Sequence, residues 1–372
     1  MEKFLAASKA KLADLRMAGK VTVVMGNQTC DLDSAVCALV EGLLRYQEAR
    51  TRNHDPAVIP VMNVAEEEFR VRTEVVYYLR RHNVPLNLLT FRSQVALEVL
   101  AGERRLELVL VDHHALPERD SSLADSVVEI IDHRPRDAAW PWRGRTINLQ
   151  TVGSCATLVA GNVLARRPEA LDSQVSNLLR GAILIDTCNF SKEANRATPL
   201  DLEVMQRLEE VDGVRDDRET VYKEILAAKT DISELTPRDL LIKDYKMAGG
   251  VPIAGLPVLV EEFIKLEGAY EAVESFTRAR NGQLAILMGL DLKNDVVTRD
   301  IAVFSLSPDE LENKVIRALT SATQPSLQLT ESSSLVEPGR RFLLYRQGNV
   351  RASRKQILPI VQSAAVAAPC QC

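Results

Sequence analysis

Apolar positions along this chain follow two patterns that alternate over the first two hundred residues. Short, nearly continuous apolar runs occur at Val21–Met25, Ala57–Met62, Leu86–Phe91, Leu106–Val111 and Val127–Ile131. Runs of this length between polar turns predict buried strands. Between them, Ser34–Gln47 and Glu66–His82 carry apolar residues at three- and four-residue steps, which predicts amphipathic helices. Gly153-Ser154-Cys155-Ala156-Thr157 reads as a helix start, and Ser173–Ile185 as a buried helix leading into Asp186. Strands alternating with helices imply a largely parallel sheet covered on both faces.

The polar stretch from Asp212 to Glu219 predicts a linker. Beyond it, Asp231–Asp239 offers helix caps. Strands are expected at Val258–Val260, Leu284–Leu290 and Ile301–Ser307, and helices around Leu266–Asn281 and Pro308–Thr320. The expected class is α/β, with an N-terminal doubly wound, mainly parallel sheet over residues 1–213. A smaller C-terminal α+β domain over 220–361 and a flexible tail over 362–372 follow, with an active site in the cleft between the domains. A length of 372 residues suits two cores better than one.

Charge and cysteine usage narrow the function classes. A formal net charge of −5 gives no general attraction to nucleic acid or to an anionic membrane, so neither is expected as a partner. No apolar stretch approaches the ~20 residues of a membrane span. The six cysteines show no disulfide-rich spacing, and a cytoplasmic setting with reduced thiols is expected. The N-terminus is weakly basic and amphipathic, which leaves a mitochondrial presequence open, although Glu2 and Asp14 count against one.

The chemistry lies just after the apolar runs. Val21–Met25 leads into Gly26-Asn27-Gln28-Thr29-Cys30-Asp31-Leu32-Asp33, Leu106–Val111 into Asp112-His113-His114, and Val127–Ile131 into Asp132-His133-Arg134. Gly181–Ile185 leads into Asp186 in the same form. In open α/β sheets the ligand site lies outside the carboxyl ends of the strands. Four carboxylates and a histidine delivered there repel one another unless cations sit between them. Asp31 and Asp33 would reach two separate ions, Asp112 would bridge them, and His133 and Asp186 would complete the second ion's ligands. Oxygen-rich ligation with one imidazole favours Mn²⁺ or Mg²⁺, and two such ions roughly 3.5–4 Å apart suit in-line displacement at phosphorus. Each residue also has a plainer reading: Asp33-Ser34 as a helix cap, His114 as a solvated loop residue, Asp132 as an acceptor of backbone amides. In the second half, Arg351, Arg354 and Lys355 cluster, with Lys243 and Lys246 as a lesser group. Arginine forks and lysine charges there would form an electropositive wall for a polyanion.

Taken together, Asn27 to Ser34, Asp112-His113-His114, Asp132-His133-Arg134-Pro135, Val152 to Thr157, Asp186 and Ser353-Arg354-Lys355-Gln356 resemble the DHH phosphoesterase superfamily, and within it the prune subfamily. That resemblance implies one metal on Asp31 and Asp112 and a second on Asp33, Asp112, His133 and Asp186. It places Arg134, His113, His114, Lys246, Arg354 and Lys355 on the substrate side. Family II inorganic pyrophosphatases, which share the C-terminal domain, carry histidines where this chain has Asn27 and Arg134. Asn27 is thus implied to be a weak metal ligand, and Arg134 a clamp for an additional phosphate. The implied activity is removal of terminal phosphate from short polyphosphates by a two-metal mechanism. Cyclic-nucleotide phosphodiesterase activity and a regulatory role on nucleoside diphosphate kinase are the alternatives that the resemblance carries.

Overall fold

The computed structural model describes residues 1–366 apart from 16–17, 53–54, 141, 294–295, 308 and 338–339. The chain divides into two compact units, Met1–Asp231 and Ile232–Cys372.

The first unit is built on a sheet of β1 (Val21–Met25), β2 (Ala57–Met62), β3 (Thr90–Phe91), β4 (Leu106–Val111), β5 (Val127–Asp132) and β6 (Thr146–Leu149). Their order is β3-β2-β1-β4-β5-β6, and every pairing is parallel. From β1 the chain steps outward one way through β2 and then the other way through β4, so the sheet has its topological switch point between β1 and β4. Both strands end there at their carboxyl ends, which is where such sheets open a crevice.

Alternation along each strand divides the apolar residues between two layers. Val21, Val23 and Met25 face a core with Leu97, Leu100 and Leu123, while Val24 faces one with Leu39, Val159 and Ile183. The helices are α1 (Glu2–Ala13), α2 (Leu32–Thr51), α3 (Glu66–Phe69), α4 (Thr73–Arg81), α5 (Leu97–Gly102), α6 (Cys155–Arg166), α7 (Ser173–Asp186), α8 (Pro199–Glu209) and α9 (Arg218–Thr230). Among the described residues, no helix is long and apolar enough to cross a membrane.

In several places the structure departs from the sequence reading. Leu86–Leu88 form a 3₁₀ turn, leaving only Thr90–Phe91 as strand. The helix expected over 66–82 is interrupted at Arg70–Arg72, between α3 and α4. The helix expected over Ser173–Ile185 is α7, and Gly181–Ile185, similar in form to the strand-like runs, is its last part and ends at Asp186. The unit boundary falls after Asp231 and not in the 212–219 stretch. There α9 buries Val221 and Ile225 in the first core, and Arg81 of α4 pairs with Glu224 of α9.

The second unit carries β7 (Tyr245–Ala248), β8 (Val251–Leu256), β9 (Leu284–Lys293), β10 (Val296–Ser305), β11 (Leu329–Glu337) and β12 (Arg340–Gln347). They are ordered β11-β12-β10-β9-β8-β7 and are antiparallel except for the β8–β9 pair. Its helices are α10 (Pro237–Lys243), α11 (Val260–Phe263), α12 (Ala269–Arg278), α13 (Glu310–Thr320) and α14 (Arg354–Val366). Val258–Val260, expected as strand, is a bend that opens α11, and the strand is the preceding apolar run. Residues 362–366, expected in a tail, are the last turns of α14. Residues 367–372, with Cys370 and Cys372, lie outside the described residues, as does Pro308.

Candidate metal centre

Asp31 caps α2, its side chain accepting from Ser34 N at 3.1 Å. That cap starts the helix that follows the loop after β1 and carries Asp33 into the first turn. Asp33 is buried against the opening of α6. It accepts from Ser154 Oγ at 2.9 Å and from the backbone N–H groups of Cys155 and Ala156 at 2.8 Å each. A carboxylate at a helix N-terminus is held there by orphan amides and the helix dipole.

Asp112 follows β4 with φ of 60°, a left-handed conformation that a non-glycine residue adopts at a cost of about 1–3 kcal/mol. Three contacts hold it: Asn27 Nδ2 and Ser34 Oγ each donate to its Oδ2 at 2.5 Å, and its N–H donates to Ile131 O at 2.9 Å. His133 follows β5. Its Nδ1 lies 3.0 Å from Val152 O, which fixes the proton on Nδ1 and leaves Nε2 free to ligate. Nε2 lies 3.3 Å from Asp112 Oδ1 and 4.0 Å from Asp33 Oδ2.

Ligand atoms of Asp33, Asp112 and His133 all lie within 4.8 Å of one another. A pocket of about 440 Å³ opens over them, also lined by Asp31, Asp186, Arg134, Gly153 and Arg196. Crowding shows in the electrostatics. Burial, then the charge of a neighbouring aspartate, pushes Asp31, Asp112 and Asp186 above the ordinary carboxylate range. Burial also raises Asp33, against the pull of His133. Burial alone would lower His133, but its hydrogen bond to Asp112 and the charge of Asp33 raise it to about 10. Compared with isolated carboxylates, a bare cluster of this kind holds its protons to higher pH. Bound cations displace them, and the oxygen-plus-imidazole donor set fits a hard divalent ion.

The structure brings Asp31, Asp33, Asp112, His133, Asp186 and Arg134 to one pocket. Arg134 Nη2 lies 3.6 Å from Asp112 Oδ1 on a side chain that is 50% exposed, so the guanidinium reaches both the carboxylates and solvent.

Asn27, which the resemblance implies is a weak metal ligand, hydrogen-bonds both its neighbour Thr29 and Asp112. Its Oδ1, the only atom able to ligate, accepts from Thr29 N at 2.8 Å and from the Thr29 hydroxyl, while its amide nitrogen grips Asp112. Asn27→Ala is expected to weaken divalent-ion affinity by roughly 10–100-fold without unfolding the protein, the range for losing a partner of a ligand. Titrating Mn²⁺ into the metal-stripped variant checks this.

His113 and His114 do not line the pocket. His113 is buried with Nδ1 3.0 Å from Val111 O. His114, also buried and not solvated, pairs with Asp132, accepts Asp137 N–H at 2.8 Å on Nε2, and receives Trp142 Nε1–H at 2.7 Å on its carbonyl. Asp132 in turn accepts from the N–H groups of His133 and Arg134 at 2.7 and 3.2 Å. The pair thus braces the loop that presents His133 and Arg134.

In the second unit, Gln356 Oε1 reaches back to accept from Ser353 N and Oγ at the start of α14, so Arg354 and Lys355 occupy its first turn. Arg354 is paired with Asp244 at 2.8 Å, and Lys355 is exposed. Lys246 is exposed on β7.

Sequence reasoning placed Gly153 and Ser154 only in a helix start and a motif, with no role in the site, and missed Arg196. Gly153 N donates to buried Asp201 at 2.8 Å, and a Cβ on Gly153 would lie 2.6 Å from Thr187 Cγ2, so only glycine lets this loop approach. Arg196 sits in a polar, irregular segment that has no periodic signal.

Residues 223–364 match the DHHA2 domain family. Over 372 residues the chain is 32% identical to exopolyphosphatase PRUNE1 of Homo sapiens, covering 98% of this chain and 79% of that one. It is 33% identical to exopolyphosphatase PRUNE1 of Mus musculus over 373 residues, with the same coverage of 98% and 79%. A manganese-dependent inorganic pyrophosphatase of Methanothrix thermoacetophila is 27% identical over 141 residues, covering 38% of this chain and 44% of that one. The ordered carboxylates and His133 at the switch point, the DHHA2 match and the near full-length similarity to PRUNE1 agree, and the chain belongs to the prune family of DHH phosphoesterases.

Proposed function

We propose that this protein is a divalent-metal-dependent phosphoanhydride hydrolase that removes terminal phosphate from short inorganic polyphosphates. The observation that carries this reading is the convergence of Asp33, Asp112 and His133 within 4.8 Å, in a pocket also lined by Asp31 and Asp186. Relatives named exopolyphosphatase and manganese-dependent inorganic pyrophosphatase support the reaction class.

Two ions, Mn²⁺ or Mg²⁺, are proposed, with Asp31 and Asp112 serving one, and Asp33, Asp112, His133 and Asp186 the other. When bound, such ions neutralise phosphate charge and make water nucleophilic near neutral pH. The remaining work falls to the chain's own groups. Val152 O holds His133 in the tautomer that turns Nε2 toward the carboxylates. Asn27 and Ser34 hold Asp112 in its strained conformation, so the carboxylate is aimed before any ligand arrives. Arg134 cannot donate a proton at neutral pH, so its role is to hold equatorial or leaving oxygens. Arg196 adds a second guanidinium to the pocket wall.

Arg354, Lys355 and Lys246 are proposed to hold further phosphates from the second unit. In support, cations in a helix's first turn oppose its dipole and so weaken α14, whereas an anion at that turn is favoured. The test is phosphate release by metal-stripped protein supplied with Mn²⁺ or Mg²⁺, across diphosphate, triphosphate, tetraphosphate and cAMP. Turnover of triphosphate and tetraphosphate well above cAMP is expected. Turnover of cAMP alone would favour the phosphodiesterase reading and sink this one.

A further inference from the structure

A second cavity, of about 800 Å³, lies in the first unit away from the carboxylates. It is larger than the carboxylate pocket and within the size range of small-molecule sites. Its position follows from three helices that also build the metal centre. α2 begins at Asp31 and Asp33 and reaches the cavity with Tyr46, Gln47 and Arg50. α6 begins at the cradle of Asp33 and delivers Arg167 just past its end. α7 ends at Asp186 and lines the cavity near its start, with Gln174. At ~1.5 Å per residue, these spans put the cavity roughly 20 Å from the carboxylates.

The wall has two kinds of surface. Its floor is apolar: buried Phe4 and Leu43, with the Phe4 and Tyr46 rings 5.2 Å apart and tilted at 41°. Around that floor stand Lys3, Arg50 and Arg167, brought from three separate elements, and Glu2 is the one acid among the described lining residues. Arg50 sits 5.7 Å from the Tyr46 ring centroid and donates to its hydroxyl at 3.0 Å. Arg167 pairs with Glu169 at 2.8 Å and makes long contacts of 3.4 Å to Gln47 O and Thr51 Oγ1, and its Nε is buried with no hydrogen-bond partner among the described residues. In a chain of net charge −5, Lys3 and Arg50, with the Glu169-paired Arg167 beside them, gather positive charge over an aromatic floor. Guanidinium groups match phosphate oxygens, and an aromatic floor receives a flat ring.

We infer that this cavity is a second binding site, separate from the carboxylate pocket, for a small organic phosphate that bears a flat ring, of the nucleoside monophosphate or aryl phosphate kind. Isothermal titration of the full chain in EDTA tests it, because chelation keeps phosphates from being held by metal at the carboxylates. The probes are AMP, UMP and phenyl phosphate, with ribose 5-phosphate and inorganic phosphate as ringless controls. The ring-bearing probes are expected to bind at least ~10-fold more tightly than the controls. Arg50→Glu and Lys3→Glu, both at exposed positions, are each expected to weaken that binding by ~10-fold, and Tyr46→Ala to remove the preference for a ring. Asp112→Asn should leave it unchanged. Absence of binding at millimolar ring-bearing probe, binding indifferent to Arg50→Glu and Tyr46→Ala, or binding lost in Asp112→Asn would each overturn the assignment.

Discussion

Asp112→Asn is expected to cut metal-dependent phosphate release from triphosphate by at least ~10³-fold, while the metal-free variant melts at a higher temperature than metal-free wild type. The first effect follows from position. Asp112 is the carboxylate nearest His133 Nε2 and Arg134, and it is proposed to serve both ions. Losing ~4 kcal/mol of transition-state charge stabilisation corresponds to that factor. The second effect follows from crowding, since Asp33 raises Asp112 and Asp112 raises Asp31 and Asp186, and removing one anion relieves that repulsion. Asparagine suits the test better than alanine. It tolerates the left-handed φ of 60°, and its carbonyl oxygen can still accept from Asn27 and Ser34. Activity and melting temperature should therefore move in opposite directions, which general unfolding cannot produce.

The second large effect is on stability against pH and metal. Asp31, Asp33, Asp112 and Asp186 have folded values above the ~3.9 of an unfolded aspartate. In that window the metal-free native state binds more protons than the unfolded chain does, so stability falls as pH rises above ~4 through the raised values. His133 acts in the same direction: with a folded value of about 10, its contribution is whole below an unfolded value of ~6.5 and is lost as pH rises from there through 10. Metal-free protein should accordingly melt higher at acid than at alkaline pH. Mn²⁺ at a hundredfold excess over its dissociation constant adds ~2.7 kcal/mol, or roughly 5–10 °C for a unit of this size. The gain should grow with pH, because the ligands must lose their protons to bind. Thermal scans with and without Mn²⁺ at three pH values check this, and overlapping melts would count against a metal centre.

How much was legible depended on how strongly burial constrains each segment. The sequence-derived limits of β1, β2 and β4 coincide with the observed ones, because strands buried on both faces read as unbroken apolar runs between polar turns. Ser173–Ile185 was legible as a buried helix, although its last part, Gly181–Ile185, has the same form as the strand-like runs that precede the other carboxylates. Its carboxylate, Asp186, still arrives at the pocket, from the end of α7. β8 was masked by the proline and glycine of Val251–Leu256. β11, with three consecutive serines, sits at a sheet edge and needs no apolar face of its own. Within the site, residues that directly follow strands were legible. Asn27's grip on Asp112, the amides of α6 under Asp33 and the His114–Asp132 brace were not, because they depend on contacts between segments 18 to 123 positions apart.

Calorimetric titration of Mn²⁺ into metal-stripped protein, alongside Asp33→Asn and Asp112→Asn, bears most directly on whether these carboxylates are a metal centre. Two ions bound per wild-type chain are expected, with at least one lost from each variant. A wild-type protein that takes up no Mn²⁺, or variants that bind it undiminished, would contradict the account.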